Sequence, residues 1–305
     1  MMNKILKITL LLTLLIGLIS CNEDDTESTI YVVPYAEQEP IDNAEIVNFL
    51  TTNYFNEEEF ISPVAEFNFN IEFSNVETVD GYTRTPLIDY VGNTINNFTI
   101  DTKSIIVGDV AHTLYILKVV QGQGAEKPRF CDEALLSYEG MTLDKIVFDN
   151  ALNPVYLDLS VTVKGFSESV SEFNIATNTV DNGDGTFTYQ NYGVGAVFMP
   201  SALGYYSQGV SIITPYSPLI FKLKIYGTTE LDHDNDGVPS YLEDLNGNHD
   251  LIDDNTDSDD FPNFQDPNDD EDPILTINED VNGDGDYLND DTDLDGIPNY
   301  LDSDN

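Results

Sequence analysis

Three hydrophobic patterns divide the chain. Across "AEIVNFLTTNYF" (residues 44–55), Ile46, Phe49, Leu50 and Tyr54 recur near helical spacing, which predicts a helix capped by Asp42 or Asn43. From Phe60 to Asn97 the pattern turns β-like and loop-rich, and "FNFNIEF" (67–73) alternates strictly. Between Lys103 and Thr228 strands dominate. "VYLDLSVTV" sets Val155, Leu157, Leu159, Val161 and Val163 on one face, and "LIFKLKIY" does the same with Leu219, Phe221, Leu223 and Ile225. One short helix interrupts them: Phe166, Val170 and Phe173 lie at i, i+4 and i+7, with Ser169 and Glu172 spaced as a capping box. Antiparallel strands around one buried helix make an α+β domain. Beyond Thr228 neither period persists.

Composition sharpens this division. The 305 residues leave room for about two ordinary domains. The formal charge is −45, with 11 basic residues against 56 acids. No Lys or Arg follows Asp232, so the acidity is concentrated at the C-terminal end. Phosphates need Lys and Arg to displace their counterions, so nucleic acid is excluded as a partner. The two cysteines, Cys21 and Cys131, are too few for a disulfide scaffold. His112, His233 and His249 show no metal-ligand spacing, so no zinc site is expected. Neither a nucleophile elbow, a P-loop nor a dinucleotide fingerprint is present, so no cofactor is expected for catalysis.

The amino terminus reads as an address. Lys4 and Lys7 precede an apolar run from Ile8 to Ile19, the layout of a secretory signal peptide. The run is short for a bilayer span, which takes about 20 residues. "LISC" (18–21) resembles a bacterial lipobox, which implies cleavage before Cys21 and acylation of its thiol. Acyl chains contribute about 0.8 kcal/mol per buried CH₂, and more than one chain anchors stably. The acidic "NEDDTE" that follows suits an extended tether. It also resembles the export signal that carries lipoproteins of the Bacteroidota to the outer face of the outer membrane. The periplasmic and surface-facing sides both stay open.

Four motifs in order, "YEGMTLDKIVFD" (138–149), "VTVKGFSESVSEF" (161–173), "GAVFMPSALGYY" (195–206) and "ITPYSPLIFKLKI" (213–225), resemble the FKBP-type peptidyl-prolyl isomerases. The resemblance spans about residues 115–226. It implies an FKBP-like half-barrel sheet around a short helix and a proline pocket lined by Tyr138, Phe148, Val163, Phe166, Ile213 and Phe221. Asp149 and Tyr205 would be polar groups at its rim. Phe166 stands where the family usually has Trp. Gly204-Tyr205-Tyr206 replaces Ala-Tyr-Gly, which leaves the choice between Tyr205 and Tyr206 open. An insertion containing the turn "DNGDGT" (181–186) follows the helix.

The acidic end carries its own repeat. "DHDNDGVPSYLE", "NTDSDDFPNFQD" and "DTDLDGIPNYLD" begin at Asp232, Asn255 and Asp291 and share acid or amide at positions 1, 3 and 5, Pro at 8 and a carboxylate at 12. "DVNGDGDYLNDDTD" from Asp280 repeats "DLNGNHDLIDDNTD" from Asp244 at an offset of 36. Such oxygens around a tight turn suit Ca²⁺, a hard cation taking 6–8 oxygen ligands. Expected ligands are Asp232, Asp234, Asp236, Glu243, Asp257, Asp259, Asp266, Asp280, Asn282, Asp284, Asp291, Asp293, Asp295 and Asp302. Pro239, Pro262 and Pro298 oppose the exiting helix of an EF-hand. The pattern instead resembles thrombospondin type 3-like calcium repeats. Asp260 occupies the glycine position of the middle loop.

The expected organisation is a signal peptide (1–20), an acidic tether (21–34), a helix and β segment that spaces the main domain or forms a homodimer (35–102), an isomerase domain (103–228) and calcium repeats (229–305). The expected function is prolyl isomerisation of exported or surface polypeptides by an outer-membrane lipoprotein. A non-catalytic surface adhesion or interaction lipoprotein is the alternative.

Overall fold

The computed structural model describes residues 31–79 and 82–304. The signal peptide, Cys21 and the first part of the tether lie outside the described residues. From Val33 onward the chain forms one unit, built on six antiparallel strands. These are β1 (Thr99–Val107), β2 (Val110–Val120), β3 (Glu133–Thr142), β4 (Val147–Asp158), β5 (Gly193–Met199) and β6 (Leu219–Thr229). Their order across the sheet is β1-β2-β5-β6-β3-β4. Helix α1 (Tyr35–Thr52) precedes the sheet, and helix α2 (Lys164–Val170) lies in the connection from β4 to β5.

Both faces of the sheet are covered. On one face Leu114 and Ile116 of β2, Val197 and Met199 of β5, and Leu219, Phe221, Leu223 and Ile225 of β6 pack with Phe166, Val170 and Phe173. The alternation read in the closing strand is therefore the buried face of β6. On the other face Leu117, Ala196, Phe198 and Ile220 pack under Ile46, Phe49 and Leu50 of α1, joined by Phe55, Leu87, Tyr90 and Phe98. Every residue of β5 is buried as a result, including the glycines of "GVGAVFM". A Cβ on Gly195 would come within 2.2 Å of the Phe173 ring, so only glycine lets that ring lie on the strand. The stretch expected to act as a spacer or a dimer element thus covers the sheet.

Several local expectations are corrected. The run "VYLDLSVTV" is not one strand: β4 ends at Asp158, Leu159–Val161 is a 3₁₀ turn, and Val161 is 81% exposed. Asp158 breaks the strand by accepting the Ser160 N–H at 2.9 Å. Ser169 caps nothing. It lies inside α2 with its hydroxyl on the Gly165 carbonyl, and Glu172 beyond the helix pairs with Lys103 and Lys118. Helix α1 begins at Tyr35 after Pro34, so Asp42 lies within it. In "FNFNIEF" only Phe73 enters a strand, because Phe69 takes a left-handed φ of 56°. The insertion after α2 is a hairpin, Asn178–Asp181 against Phe187–Gln190.

Beyond Glu230 the described chain consists of loops and short 3₁₀ turns. It docks on the body through a small apolar cluster of Cys131, Leu251 and Phe264, flanked by Phe130 and Tyr241. His249 stacks on Phe130 with ring centroids 4.3 Å apart and reaches Glu168 of α2 at 2.8 Å. Lys164, also on α2, donates to the Asn248 carbonyl at 3.1 Å.

Candidate functional site

The rings named from sequence converge. Tyr138 lies on β3, Phe148 on β4, Phe166 on α2 and Phe221 on β6, and Val163 directly precedes α2. All five, with Ile213 and Tyr205, belong to the apolar cluster on the α2 side of the sheet. Phe166, Phe221 and Ile213 are 3%, 4% and 5% exposed, while Tyr138, Phe148, Val163 and Tyr205 are half-buried. Phe221 is the hub: its centroid lies 5.1 Å from Phe166, 5.5 Å from Phe148 and 6.2 Å from Tyr138. The first two contacts are edge-to-face, the favoured arrangement for aromatic quadrupoles. The register explains the gathering. Gly140 stands opposite both Phe221 and Asp149, and a Cβ on it would lie 2.6 Å from Phe148 and 2.8 Å from Phe221.

At the rim the Tyr138 hydroxyl donates to Asp149 Oδ2 at 2.6 Å. Burial first, then this bond, push the Tyr138 hydroxyl up to about 12. Burial and the charge of Asp149 also raise Tyr205. Both hydroxyls keep their protons at neutral pH, so they can donate hydrogen bonds and cannot act as phenolate bases.

The two tyrosines after Gly204 part company. Tyr206 takes a left-handed φ of 45°, a backbone that favours glycine. Its ring turns toward the amino-terminal cover, stacking on Tyr35 at 4.5 Å, and its hydroxyl bonds the Val33 carbonyl. Tyr205 is the one that joins the ring cluster. The loop that carries it is held by Asp42 of α1, which accepts from Ser201 N at 2.8 Å and Ser201 Oγ at 2.6 Å. From sequence alone Asp42 reads only as a candidate helix cap.

The acidic loops share a left-handed turn. The residue at position 4 is left-handed at Asn235, Gly247, Ser258, Glu271, Gly283 and Leu294. Position 1 turns the chain by accepting the N–H of position 4, as in Asp232 to Asn235, Asn255 to Ser258, Asp280 to Gly283 and Asp291 to Leu294, at 2.6–2.7 Å. Gly237 and Gly296 are left-handed at position 6, whereas Asp260 in the middle loop is not.

Carboxylates gather in five groups among the described residues: Asp232-Asp234-Asp236, Asp236-Glu243-Asp269, Asp257-Asp259-Asp266, Asp270-Asp272-Glu279 and Asp291-Asp293-Asp295. The expected sets around Asp257 and Asp291 are therefore assembled, except that Asp302 stays outside its group. Glu243 joins Asp236 with Asp269 in a group apart from Asp232 and Asp234. Asp280 and Asp284 enter none of these groups; the Asp280 carboxylate accepts the N–H groups of Gly283, Asp284 and Gly285, and Asn282 donates its side-chain amide to Asn289 at 2.6 Å.

A loop at Asn268–Glu279 went unread, and with it Asp269, Asp270, Asp272 and Glu279. The offset of 36 would have found it, since it carries Asp232, Asp234, Asp236 and Glu243 onto Asn268, Asp270, Asp272 and Glu279. Pro273 in the glycine position hid it. Several of these carboxylates are buried, and burial together with neighbouring acids pushes Glu243 up to about 10, Asp269 to about 9 and Asp236 to about 6. Both Glu243 oxygens, Asp236 Oδ2 and Asp269 Oδ1 are buried without a hydrogen-bond partner. Oxygens left in that condition fit a hard cation.

The sequence matches no family model and no curated protein sequence. Among solved structures it is similar to a peptidyl-prolyl cis-trans isomerase of Pseudomonas syringae pv. tomato, at 13% identity and a TM-score of 0.34, over 66% of this chain and 99% of that one. FkpA of Escherichia coli aligns at 17% identity and a TM-score of 0.33, over 64% of this chain and 63% of its own. The FKBP domains of wheat FKBP73 align at 15% and 0.33, over 43% and 51%.

Proposed function

We propose that the chain is a peptidyl-prolyl cis-trans isomerase of exported or surface polypeptides, held to the outer membrane by a lipid on Cys21 and stiffened at its C-terminal end by Ca²⁺. The observation that carries the enzymatic reading is the convergence of Tyr138, Phe148, Val163, Phe166, Ile213 and Phe221, with Asp149 and Tyr205 beside them.

The chemistry needs no nucleophile. Resonance keeps a prolyl amide planar behind a barrier of about 18–20 kcal/mol. In the twisted transition state that resonance is lost and the carbonyl is less polar, so water favours the planar ground state. Rings that exclude water remove this preference, while the Tyr205 hydroxyl holds the substrate carbonyl. The rate gain is differential binding of the twisted form. Asp149 orders the Tyr138 hydroxyl and transfers no proton. Calcium would be held by the grouped carboxylates of the acidic loops, where it supplies positive charge to a segment lacking Lys and Arg. Extracellular sites of this kind have Kd of about 10⁻⁴–10⁻³ M.

A protease-coupled assay on a proline peptide tests the enzymatic reading. The chain should accelerate isomerisation, with Tyr205→Phe and Phe148→Ala each lowering kcat/KM at least about tenfold, one lost transition-state contact. Peptide binding with no rate above background would instead select the adhesion or interaction lipoprotein.

A further inference from the structure

The carboxylate group formed by Asp236, Glu243 and Asp269 differs from the other four. Its members are 1%, 0% and 1% exposed, and one oxygen from each lies within 4.8 Å of the others. They come from distant parts of the chain. Asp236 and Glu243 belong to the first acidic loop, Asp269 to the fourth, where the second 36-residue copy begins. The copies differ at this point: the offset carries His233 onto Asp269. In the first copy His233 bonds Ser240 at 2.8 Å and Asp158 of β4 at 3.2 Å. In the second copy an acid stands there: Asp269 keeps the matching bond, accepting from the Thr276 hydroxyl at 3.2 Å, and also lies among the first copy's carboxylates.

We infer that Asp236, Glu243 and Asp269 form a buried site for a hard divalent cation, Ca²⁺ in chemical class, that clasps the second copy of the repeat onto the first. The inference rests on the cation-binding reading of the loops and adds Asp269, the joining role and the closed geometry. Four carboxylate oxygens of the trio have no hydrogen-bond donor, and the acidic end offers no Lys or Arg to supply one. The Tyr300 hydroxyl, from the last loop, is also buried without a partner, and the acids that act on it are Asp269, Glu243 and Asp236. An ion with 6–8 oxygen ligands satisfies such a set, whereas three adjacent desolvated carboxylates without one repel each other. The copies already lie against each other at Gly237, where an added Cβ would meet the Tyr287 hydroxyl at 2.3 Å. Asp236 also belongs to the group with Asp232 and Asp234, so one carboxylate serves two sites.

Calorimetric titration of the full chain, stripped of metal and then given CaCl₂, tests the clasp. Asp269→Asn should bind one ion fewer than the parent and lose hydrogen-exchange protection at residues 298–302. Glu243→Gln should reproduce both changes. Asp293→Asn, in the last loop, should lose binding at its own site and keep the ion that Asp269→Asn loses. Unchanged stoichiometry and affinity in Asp269→Asn and Glu243→Gln, beside a parent that binds ions, overturns the clasp alone. A parent that binds no divalent ion overturns the loop reading and the clasp together.

Discussion

Gly140 sets how closely the rings meet. It lies on β3 opposite Phe221 and Asp149, with Phe148 and Phe221 packed over the place a side chain would take. Gly140→Ala should therefore push the two rings apart, costing about 1–3 kcal/mol of stability, the usual range for overpacking, and, on the proposed isomerase reading, lowering proline-peptide affinity and turnover. Paired denaturant melts and peptide titrations check both effects, and unchanged affinity would separate the rings from the site. The rings themselves were legible because each sits in a motif whose order along the chain is distinctive. The partners of Asp42 and Glu243 were not. Asp42 meets Ser201 across 159 residues, and the third member of the Glu243 group comes from another loop. Contacts at such separation leave no local period to read.

Helix α1 is more than a cover, since its Asp42 fixes the start of the loop that carries Tyr205. Asp42→Ala should leave the buried Ser201 N–H and hydroxyl without an acceptor and destabilise the chain by about 1–3 kcal/mol. Asp42→Asn, which retains an acceptor oxygen, should cost less. Urea unfolding of the two variants measures the difference, and equal losses would deny the carboxylate this task. The amino-terminal half of α1 escaped sequence reading for the same reason. Its inward face includes Gln38 and Asp42, so burial there does not follow hydrophobicity. The opposite error occurred at residues 155–163, where a two-residue alternation ran through a strand end, a 3₁₀ turn and the entry to α2. Strand β6, with all four alternating residues buried, shows the same pattern where hydrogen-bonded neighbours on both sides hold it extended.

At the scale of the molecule, an apolar core shared by sheet and helices gives way to an end organised by carboxylates. Without metal, the raised acids Glu243, Asp269 and Asp236 bind more protons folded than unfolded between their ordinary values near 4 and their raised values. Stability should therefore fall as pH rises through that window, so the metal-free acidic end should melt higher at pH 5 than at pH 8. With Ca²⁺ the order should reverse, because protons compete for the ligands. Tyrosine near-ultraviolet circular dichroism in both conditions tests the sign, and a melting temperature rising with pH in the metal-free chain would contradict it. The coverage of both sheet faces has one more consequence. Cutting the chain at residue 103, where a sequence-based boundary falls, would strip α1 from Leu117, Ala196, Phe198 and Ile220 and turn the back of the sheet into a sticky wall. A smaller version of this protein that keeps the sheet has to keep residues 33–102 as well, although they cover the face opposite the ring cluster.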